Sequence, residues 1–463
     1  MTASFSRVLR ANSRCREYLG AAGSELLMHA AGAITRILPH TEVSAWKEGN
    51  WATPGARWAS AERRSIRITF SIGGPDSGFA KSLSAHVSRL TVQAGVGRVR
   101  RTLDSQEYEI CGRIAESASR LLVGGRVSPG LGSLSALKAA FDEQIVAEHL
   151  RAHHGLELDV SAVLAAIREL AEQTYENKSL AFGCLLDPNW VIEHEVATFP
   201  QQMLQAKRYR ALSDGFKTAY HVASGGHLLD FVDLEQFATG KTTSAKHYFP
   251  EWSADLARAS HEGRCGVSLT RNGELLVFDE GSLRFSYRFG RWQYWNHTHL
   301  IDLLRNLTRV QRVPPALVGR VASGVYRAAL DVSFRRTGAL FVILRSEANL
   351  RQFVRYGDAI GDSARSDTDR QLDNALGAGT IQAMSRRLTA EVASLDGAVV
   401  VNNRGRFLAY GAVLQPRRRG RVAGTEGSRT KAAIGASHYG LAVKVSSDGD
   451  VTVYHQGKRF VSV

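Results

Sequence analysis

Residues 339–344 read Ala-Leu-Phe-Val-Ile-Leu, an uninterrupted apolar run of strand length. Such a run is typical of a strand that is buried on both faces, as in a sheet that carries helices on each side. Gly338 immediately precedes the run and allows the backbone to turn tightly into it. Residues 317–332 are amphipathic and follow Pro314 and Pro315, which predicts a helix that leads into this strand.

The rest of the C-terminal third alternates between apolar strand patterns and helical patterns. Asn402 to Gly405 reads as a hairpin turn. The order of elements predicts an α/β fold, with α+β as the alternative, built on a mixed central sheet flanked by helices. The expected helices lie within 369–393 and at 428–437, and the expected strands lie at 396–401, 406–414, 441–445 and 451–454.

Composition limits the class of protein. The chain has 463 residues, which is too long for one ordinary domain and predicts two or three. Hydrophobic residues make up 44% and charged residues 22%, as in soluble globular proteins. No apolar run has the roughly 18 residues that a membrane helix needs, so we expect no membrane association. The four cysteines have neither metal-binding nor disulfide spacing and the N-terminus lacks the apolar core of a secretory signal, which favours a reducing cytoplasm.

The chain is strongly basic. Its net charge is +15, from 59 Lys and Arg against 44 Asp and Glu. Such an excess attracts polyanions, which here means nucleic acid or a nucleoside triphosphate. The abundance of arginine suits bidentate contacts with phosphate. A generally basic composition without a polyanionic partner is the other interpretation, and charge alone does not decide between them.

Two short segments carry the chemistry. Asp396-Gly397-Ala398 stands at the start of an apolar strand. Residues 427–433 read Gly-Ser-Arg-Thr-Lys-Ala-Ala at the start of a predicted helix, with Ser428 as the expected N-cap. A carboxylate at a strand end can bind a hard cation, and a basic helix start can bind phosphate. Taken singly, Asp396 also fits a simple turn residue, and residues 427–431 also fit an ordinary helix cap.

The two segments resemble the nucleotide site of the diadenylate cyclase domain family, in which they read Asp-Gly-Ala and Gly-Thr-Arg-His-Arg-Ala-Ala. The first segment is intact here, whereas the second has Ser428 for Thr, Thr430 for His and Lys431 for the second Arg. Residues 335–340 resemble the family's Arg-Arg-x-Gly-Ala-Leu strand start, and the final hairpin resembles the family's last two strands. With four blocks in family order, the resemblance covers about residues 315–463.

The resemblance implies an enzyme that condenses two ATP molecules into cyclic di-AMP. Asp396 would bind Mg²⁺ or Mn²⁺ and help activate the attacking hydroxyl, while Gly397 and Ala398 would leave room for a base or ribose. The predicted catalytic residues are Asp396, Arg429 and Lys431. The predicted ATP-binding residues are Gly397, Ala398, Gly427, Ser428, Arg429, Thr430 and Lys431. The basic run 417–421 would reach the same phosphates, or else forms a solvated loop.

The changes in the second segment bear on activity. Thr430 offers a hydroxyl where the family has an imidazole, and Lys431 keeps the charge but not the planar fork of arginine. Losing one preorganised electrostatic contact costs ~10²–10³ in rate. These changes fit a slow cyclase, a cyclase with an altered metal requirement, or an inactive nucleotide-binding protein. The intact Asp396 favours activity.

An upstream segment echoes the end of the chain. Residues 267–281 match residues 443–457 at a constant offset of 176 positions (443 − 267). We further align residues 179–200 with 394–416, so that Phe182-Gly183-Cys184 falls on Asp396-Gly397-Ala398. A fainter echo pairs Arg63-Arg64 and the following strand with Arg335-Arg336. The alternative is that any two hairpins with glycine turns look alike.

We therefore expect three regions. Residues 1–165 have no assigned role, residues 166–305 form a degenerate cyclase-like or sensor domain, and residues 306–463 form the cyclase-like domain. The leading hypothesis is a cytoplasmic diadenylate cyclase with a regulatory N-terminal region, acting as at least a homodimer because each domain brings one ATP. The alternatives are an inactive nucleotide-binding sensor and, from charge alone, a nucleic-acid-binding module. His153-His154 lies in a polar stretch typical of solvated histidines.

Overall fold

The structure is a computed structural model of the chain. It describes residues 13–39, 41–59, 64–73, 80–93, 97–122, 131–191, 199, 207–238, 246–377, 379–416 and 427–462. The described residues fall into two compact units. The first comprises those within 1–90, 98–247 and 253–295, and the second comprises those within 91–97, 248–252 and 296–463. The predicted three-region division stays a prediction.

The first unit begins with a long helix and a five-stranded sheet. The elements are α1 (Ser13–Ile37), β1 (Thr41–Asn50), β2 (Gly55–Trp58), β3 (Ile66–Gly73), β4 (Ala80–Gln93) and β5 (Gly97–Arg101). The sheet order is β1-β4-β3-β2, and β5 pairs with β4. Three helices follow, α2 (Ser105–Leu122), α3 (Leu131–His154) and α4 (Val160–Leu170). Their apolar faces join the sheet in one core, in which the buried Arg89 is paired with the buried Glu107.

A second, larger sheet completes the first unit. Its elements are β6 (Thr174–Tyr175), β7 (Lys178–Ser179), β8 (Phe182–Asp187), α5 (Lys207–Leu212), β9 (Thr218–Ala223), β10 (Leu228–Asp233), α6 (Leu234–Phe237), α7 (Ala254–Ala259), β11 (Cys265–Leu269), β12 (Leu275–Asp279), β13 (Ser282–Arg288) and β14 (Arg291–Tyr294). Strands β6 and β7 form a separate small hairpin. The other seven strands are ordered β10-β9-β8-β11-β12-β13-β14. Strands β8 and β9 are parallel, and the other neighbours are antiparallel.

The second unit contains the C-terminal sheet. Its elements are α8 (His297–Val310), α9 (Pro315–Arg335), β15 (Ala339–Leu344), a short 3₁₀ helix (Glu347–Gln352), α10 (Asp367–Gly377), α11 (Arg386–Ala393), β16 (Ala398–Val401), β17 (Phe407–Ala412), α12 (Ser428–Ala436), β18 (Gly440–Val445), β19 (Val451–His455) and β20 (Lys458–Ser462). The sheet order is β17-β16-β15-β18-β19-β20, with β15 parallel to β16 and the other neighbours antiparallel. The predicted mixed sheet flanked by helices is therefore confirmed.

The central strand explains why helices cover both faces of this sheet. All six residues of β15 are buried. Alternate residues of β15 share a core cluster with Ala433 and Ala436 of α12, while α9 packs against β15, β18 and β19. Because successive strand residues point to opposite faces, the continuous apolar run requires a helix on each side. The prediction missed β20, which pairs with β19 as the sheet edge.

A buried ion pair fixes α11, which leads towards β16. Asp331 on α9 is 1% exposed and accepts hydrogen bonds from Arg386 Nε at 3.0 Å and from the backbone N–H of Glu251 at 2.7 Å. Arg386 also donates to the backbone carbonyl of Phe249 at 2.6 Å. A buried carboxylate needs this degree of pairing to offset its lost hydration. The network therefore holds α11 in one position against α9.

The two large sheets share a plan over six strands. The order β10-β9-β8-β11-β12-β13 matches β17-β16-β15-β18-β19-β20 in sequence order and in the direction of each pairing. The predicted echo of residues 267–281 in 443–457 falls on equivalent hairpins, β11–β12 and β18–β19. The two other predicted echoes are wrong. Strand β8 occupies the place of β15 rather than that of β16, and the strand after Arg64 lies in the five-stranded sheet.

Replacing Gly440 with alanine tests the packing of β18 against β15. A Cβ on Gly440 would lie 2.1 Å from the carbonyl oxygen of Ile343, so Gly440→Ala should lower the free energy of unfolding by about 1–3 kcal/mol. Gly319→Ala is the matched control, since its nearest neighbour is Arg305 Nε at 3.8 Å and alanine is preferred to glycine in helix α9 by roughly 0.5–1 kcal/mol. Urea unfolding measures both. Equal stability of the two variants would contradict the close approach of these strands.

Candidate nucleotide site

The candidate site lies where β15, β16 and α12 begin. Strands β15 and β16 run parallel with Phe341 opposite Val399, so both strands start at the same edge of the sheet. Helix α12 packs against β15, and its first turn reaches this edge. Parallel pairing therefore brings together the residues before β15 and the residues before β16, which are more than fifty positions apart in the chain.

Asp396 lies two residues before the start of β16 and is fully exposed. Its Oδ1 lies 3.9 Å from an Nη atom of Arg429 in the first turn of α12. The structure thus brings together two of the predicted catalytic residues. An exposed pair at this distance contributes little stability. The carboxylate is accordingly available to a ligand or a cation rather than committed to the fold.

Gly397 is required by the backbone. Its φ is +123°, and a Cβ there would lie 2.3 Å from the carbonyl carbon of Gly411 on β17. No other residue type fits this approach without a shift of the strand. The backbone geometry therefore explains the glycine at position 397 without reference to any ligand. Ala398, the next residue, is buried as the first residue of β16.

A second glycine lies under Arg429. Gly338 has a φ of +69°, and a Cβ on it would lie 2.5 Å from an Nη atom of Arg429 and 3.4 Å from the backbone N of Ser447. The preceding Arg336 also has left-handed backbone, with a φ of +56°, at the end of α9. The guanidinium of Arg429 therefore rests directly on the turn that leads into β15. Residues 335–340 and residues 427–433, two of the segments that resemble the family, are therefore in contact at this turn.

The start of α12 differs from the prediction in one detail. Gly427 is the N-cap residue, with extended backbone at φ −64° and ψ 162°, and Ser428 is the first helical residue. Ser428 as N-cap is therefore wrong. Gly427 has no side chain with which to cap the helix, so the first N–H groups of α12 are not satisfied by its own cap residue. Gly427 and Ser428 are both exposed, so these groups face an open surface.

Thr430 is held by a lysine on β18. The Nζ of Lys444 donates a hydrogen bond to Thr430 Oγ1 at 3.1 Å. Lys444 pairs with Leu340 of β15 across the sheet, on the face that α12 covers. A positive charge therefore stands beside the position where the family has histidine. Sequence reasoning did not identify Lys444, although its place as the one charged residue in the apolar strand Gly440–Val445 is visible in the sequence.

The remaining predicted residues are placed less tightly. Lys431 is exposed on the first turn of α12. The basic run 417–421 lies outside the described residues. Among the described residues, no group of three His, Cys, Asp or Glu side chains that could hold a metal ion includes Asp396. A cation at Asp396 would thus take its other oxygen ligands from elsewhere, which suits Mg²⁺ bound through one carboxylate and substrate phosphates.

The comparisons with known proteins bear on this unit. Residues 326–459 match the family described as DAC, DisA bacterial checkpoint controller nucleotide-binding. The predicted resemblance is confirmed over that region, which contains the whole candidate site. The C-terminal unit thus carries a nucleotide-binding domain of the diadenylate cyclase type. No curated protein matches the chain.

Two solved structures are similar to part of the chain. One is described as a hypothetical membrane spanning protein from Bacillus cereus, with 22% identity over 36% of this chain and 78% of that chain, and a TM-score of 0.24. The other is DacA from Staphylococcus aureus, a double cysteine mutant, with 22% identity over 31% of this chain and 86% of that chain, and a TM-score of 0.21. In the described part of this chain, every helix is too short or too polar to cross a bilayer.

The Thr430–Lys444 hydrogen bond can be measured by a double-mutant cycle. Thr430→Val, Lys444→Met and the double variant should give a coupling free energy of about 1–2 kcal/mol in urea unfolding, as expected for a hydrogen bond with a charged donor. Lys444→Met should also weaken binding of an ATP analogue, because a positive charge is lost beside the first turn of α12. A coupling near zero would show that the two side chains act independently.

Proposed function

We propose that the C-terminal unit is a diadenylate cyclase that condenses two ATP molecules into cyclic di-AMP in the cytoplasm. The observation that carries this proposal is the meeting of Asp396, Arg429 and the first turn of α12 at one sheet edge, inside the region that matches the nucleotide-binding family. A metal-binding carboxylate, a fork of N–H donors and a helix N-terminus are the parts that a triphosphate site needs.

The triphosphate binds at the start of α12 in this proposal. The N-terminal N–H groups of the helix and its dipole favour an anion, and the exposed positions of Gly427 and Ser428 give the phosphates access. Arg429 is 32% exposed in its side chain, so its guanidinium reaches solvent while resting on Gly338. Lys431 adds a positive charge on the same turn, and Lys444 adds another beside it.

Asp396 serves two purposes in this proposal. Its exposed carboxylate fits a hard cation, and it would hold Mg²⁺ or Mn²⁺ together with the phosphate oxygens of ATP. The bound ion supplies charge neutralisation on the triphosphate. The carboxylate also accepts a hydrogen bond from the attacking 3′-hydroxyl, which raises the electron density on that oxygen. Arg429, at 3.9 Å, keeps the carboxylate turned towards the phosphate side.

The reaction forms two phosphodiester bonds. In each, the 3′-oxygen of one ATP attacks the α-phosphorus of the other, a P–O bond forms, and the bond to pyrophosphate breaks. The hydroxyl proton passes to the exposed carboxylate of Asp396 and from there to solvent, and pyrophosphate leaves with the bridging oxygen. Each site of the proposed kind holds one ATP, so two C-terminal units must face each other. We therefore propose that the active species is a homodimer or a larger homo-oligomer.

Thr430 and Lys444 replace the family histidine in this scheme. The ammonium of Lys444 stands 3.1 Å from the Thr430 hydroxyl and supplies a fixed positive charge near the phosphates. Unlike an imidazole, an ammonium cannot accept a hydrogen bond or bind a metal ion at neutral pH. The substitution therefore favours a slower cyclase. It equally supports the second candidate, a nucleotide-binding sensor without turnover.

We propose that the seven-stranded sheet of the first unit is a degenerate copy of the same fold with a regulatory role. Pairing of Cys184 with Tyr220 corresponds to pairing of Phe341 with Val399, which places Lys217 at the position of Asp396. Lys217 donates to Asp255 in the first turn of α7 at 2.6 Å. Here the cation precedes the strand and the carboxylate lies on the helix. In the C-terminal sheet the carboxylate of Asp396 precedes the strand and the cation of Arg429 lies on the helix, so the two charges are exchanged. A carboxylate at the helix start opposes phosphate binding.

Incubation with ATP tests the proposed activity. The full chain with ATP and either Mg²⁺ or Mn²⁺ should form cyclic di-AMP and pyrophosphate, quantified by liquid chromatography and mass spectrometry. Asp396→Asn should lower the rate about 100-fold or more, because one preorganised electrostatic contact is lost. Asp302→Asn, the same charge change at an exposed residue of α8, is the control and should keep the wild-type rate. Turnover by the Asn variant at the wild-type rate would exclude the assigned role of Asp396.

Calorimetric titration with a non-hydrolysable ATP analogue distinguishes nucleotide binding at the C-terminal sheet from binding at the seven-stranded sheet. We expect one nucleotide per chain, with the affinity lowered about tenfold by Arg429→Met and unchanged by Lys217→Met. The reason is that Arg429 faces an exposed helix start, whereas Lys217 is already paired with a buried carboxylate. Two nucleotides per chain would contradict the proposed loss of function in the first sheet. Binding without product would select the sensor over the cyclase.

A further inference from the structure

The first unit contains a cluster of two imidazoles and a carboxylate that the nucleotide site does not use. His153 and His154 are the last residues of α3, and Asp279 is the last residue of β12. His153 Nε2 lies 3.7 Å from Asp279 Oδ2, and His154 Nε2 lies 3.7 Å from Asp279 Oδ1. One ligand atom from each of the three residues lies within 4.8 Å of the others. The sequence-based prediction of solvated histidines is wrong for His154, which is 8% exposed.

His154 is held in the orientation of a metal ligand. Its Nδ1 lies 2.8 Å from the backbone carbonyl oxygen of Gly263, so Nδ1 carries the proton and donates it to that oxygen. The neutral ring then has its lone pair on Nε2. Among the residues that the structure describes, that buried nitrogen has no hydrogen-bond partner, and it lies 3.7 Å from Asp279 Oδ1. A buried polar atom left without a partner costs about 1–3 kcal/mol, which a bound cation would remove.

Asp279 completes the cluster from the sheet. Its side chain is 4% exposed. Gln106 Nε2 donates to its Oδ2 at 3.2 Å, and Arg284 Nε lies 3.7 Å from the same oxygen. The second oxygen, Oδ1, faces His154. Such a hydrogen bond from Gln106 is the kind of contact that orients a metal-binding carboxylate from outside the ligand set.

His153 connects the cluster to solvent. Its side chain is 31% exposed, compared with 3% for that of His154. Its Nε2 lies 3.4 Å from Gln106 Nε2, and its Nδ1 lies 3.7 Å from Glu109 Oε2. An ion would therefore reach the buried ligands past the His153 ring. The same side leaves a coordination position for water.

The tautomer of His154 suits a metal. Neutral imidazoles are the form that binds metal ions, since a protonated ring has no free lone pair. With the Nδ1–H of His154 directed at the carbonyl oxygen of Gly263, the lone pair of its buried Nε2 faces the cluster.

We propose that His153, His154 and Asp279 bind one divalent transition-metal ion of the Zn²⁺ class. Two ligands at about 2.1 Å from a tetrahedral zinc lie about 3.4 Å apart, close to the 3.7 Å between His154 Nε2 and Asp279 Oδ1. One ligand atom from each of the three residues lies within 4.8 Å of the others, so a small shift of the side chains brings all three to one ion. Two nitrogen donors and one oxygen donor favour zinc over magnesium or calcium, which prefer all-oxygen sites. The ion would have three protein ligands and a fourth position towards solvent. Occupancy of the site would therefore follow the concentration of free metal ion around the protein.

A second group competes for the same ion. Glu109, His149 and His153 also bring one ligand atom each within 4.8 Å, with His149 Nδ1 3.7 Å from Glu109 Oε2. That group has a carboxylate that is 44% exposed, and the rings of His149 and His153 stack at 5.5 Å. Only the first group combines a buried carboxylate with a ring whose tautomer is fixed by a backbone carbonyl. We therefore assign the ion to His154 and Asp279 rather than to His149 and Glu109.

Metal titration of the full chain tests the proposal. The protein is stripped with a chelator and titrated with Zn²⁺ against a chromophoric competitor, in the absence of nucleotide. We expect one ion per chain, with the affinity lowered about 100-fold by His154→Gln and by Asp279→Asn, and lowered less than threefold by His149→Gln. Asp396→Asn should leave the zinc stoichiometry unchanged, which separates this ion from one at the nucleotide site. Circular dichroism confirms that each variant is folded.

Co²⁺ provides a readout that needs no variant. The wild-type chain loaded with Co²⁺ should show the intense visible absorption of a tetrahedral site, and Zn²⁺ should remove it. Absence of zinc binding, or unchanged affinity in both His154→Gln and Asp279→Asn, overturns the proposal. Loss of the ion in His149→Gln with retention in His154→Gln also overturns it, because the metal would then belong to the Glu109 group.

Discussion

The parallel pairing of β15 with β16 is the constraint on which the candidate site depends. With Phe341 opposite Val399, the two strands begin at the same edge, and the residues that precede them become neighbours. Two close backbone approaches then fix the details. Gly397 is pressed against Gly411, and Gly338 lies under the guanidinium of Arg429. Without either of these close approaches, Asp396 and Arg429 would not lie at the same edge of the sheet.

The same strand plan occurs twice in the chain with opposite electrostatics. In the C-terminal sheet, the exposed carboxylate of Asp396, just before β16, faces an arginine on the helix. In the upstream sheet, Lys217, just before β9, is paired with the buried Asp255 on the helix. A fold that positions one pair of side chains can thus be kept while the charge of each partner is exchanged. On our account, this exchange removes phosphate binding and leaves a sheet that is free for a regulatory role.

Much of the C-terminal unit was predictable, because its local signals agree with its tertiary structure. The buried run 339–344, the prolines before α9 and the glycine turns all indicate the elements that are observed. Contacts that depend on the third dimension were not predictable. Lys444 reaches Thr430 only because β18 pairs with β15 under α12, and the strand equivalent to β15 could not be identified as β8 from sequence similarity of short glycine-bearing segments. The general preference for serine at the N-cap favours Ser428, whereas the chain uses Gly427.

A crystal structure of the full chain with a non-hydrolysable ATP analogue and Mg²⁺ would show whether nucleotide occupies the proposed site. We expect the triphosphate at the first turn of α12, in contact with Arg429, and an ion between its oxygens and Asp396. We also expect the helix start at Asp255 to carry no nucleotide. Nucleotide bound away from Asp396 and Arg429, or bound beside Lys217 and Asp255, would refute the proposed site.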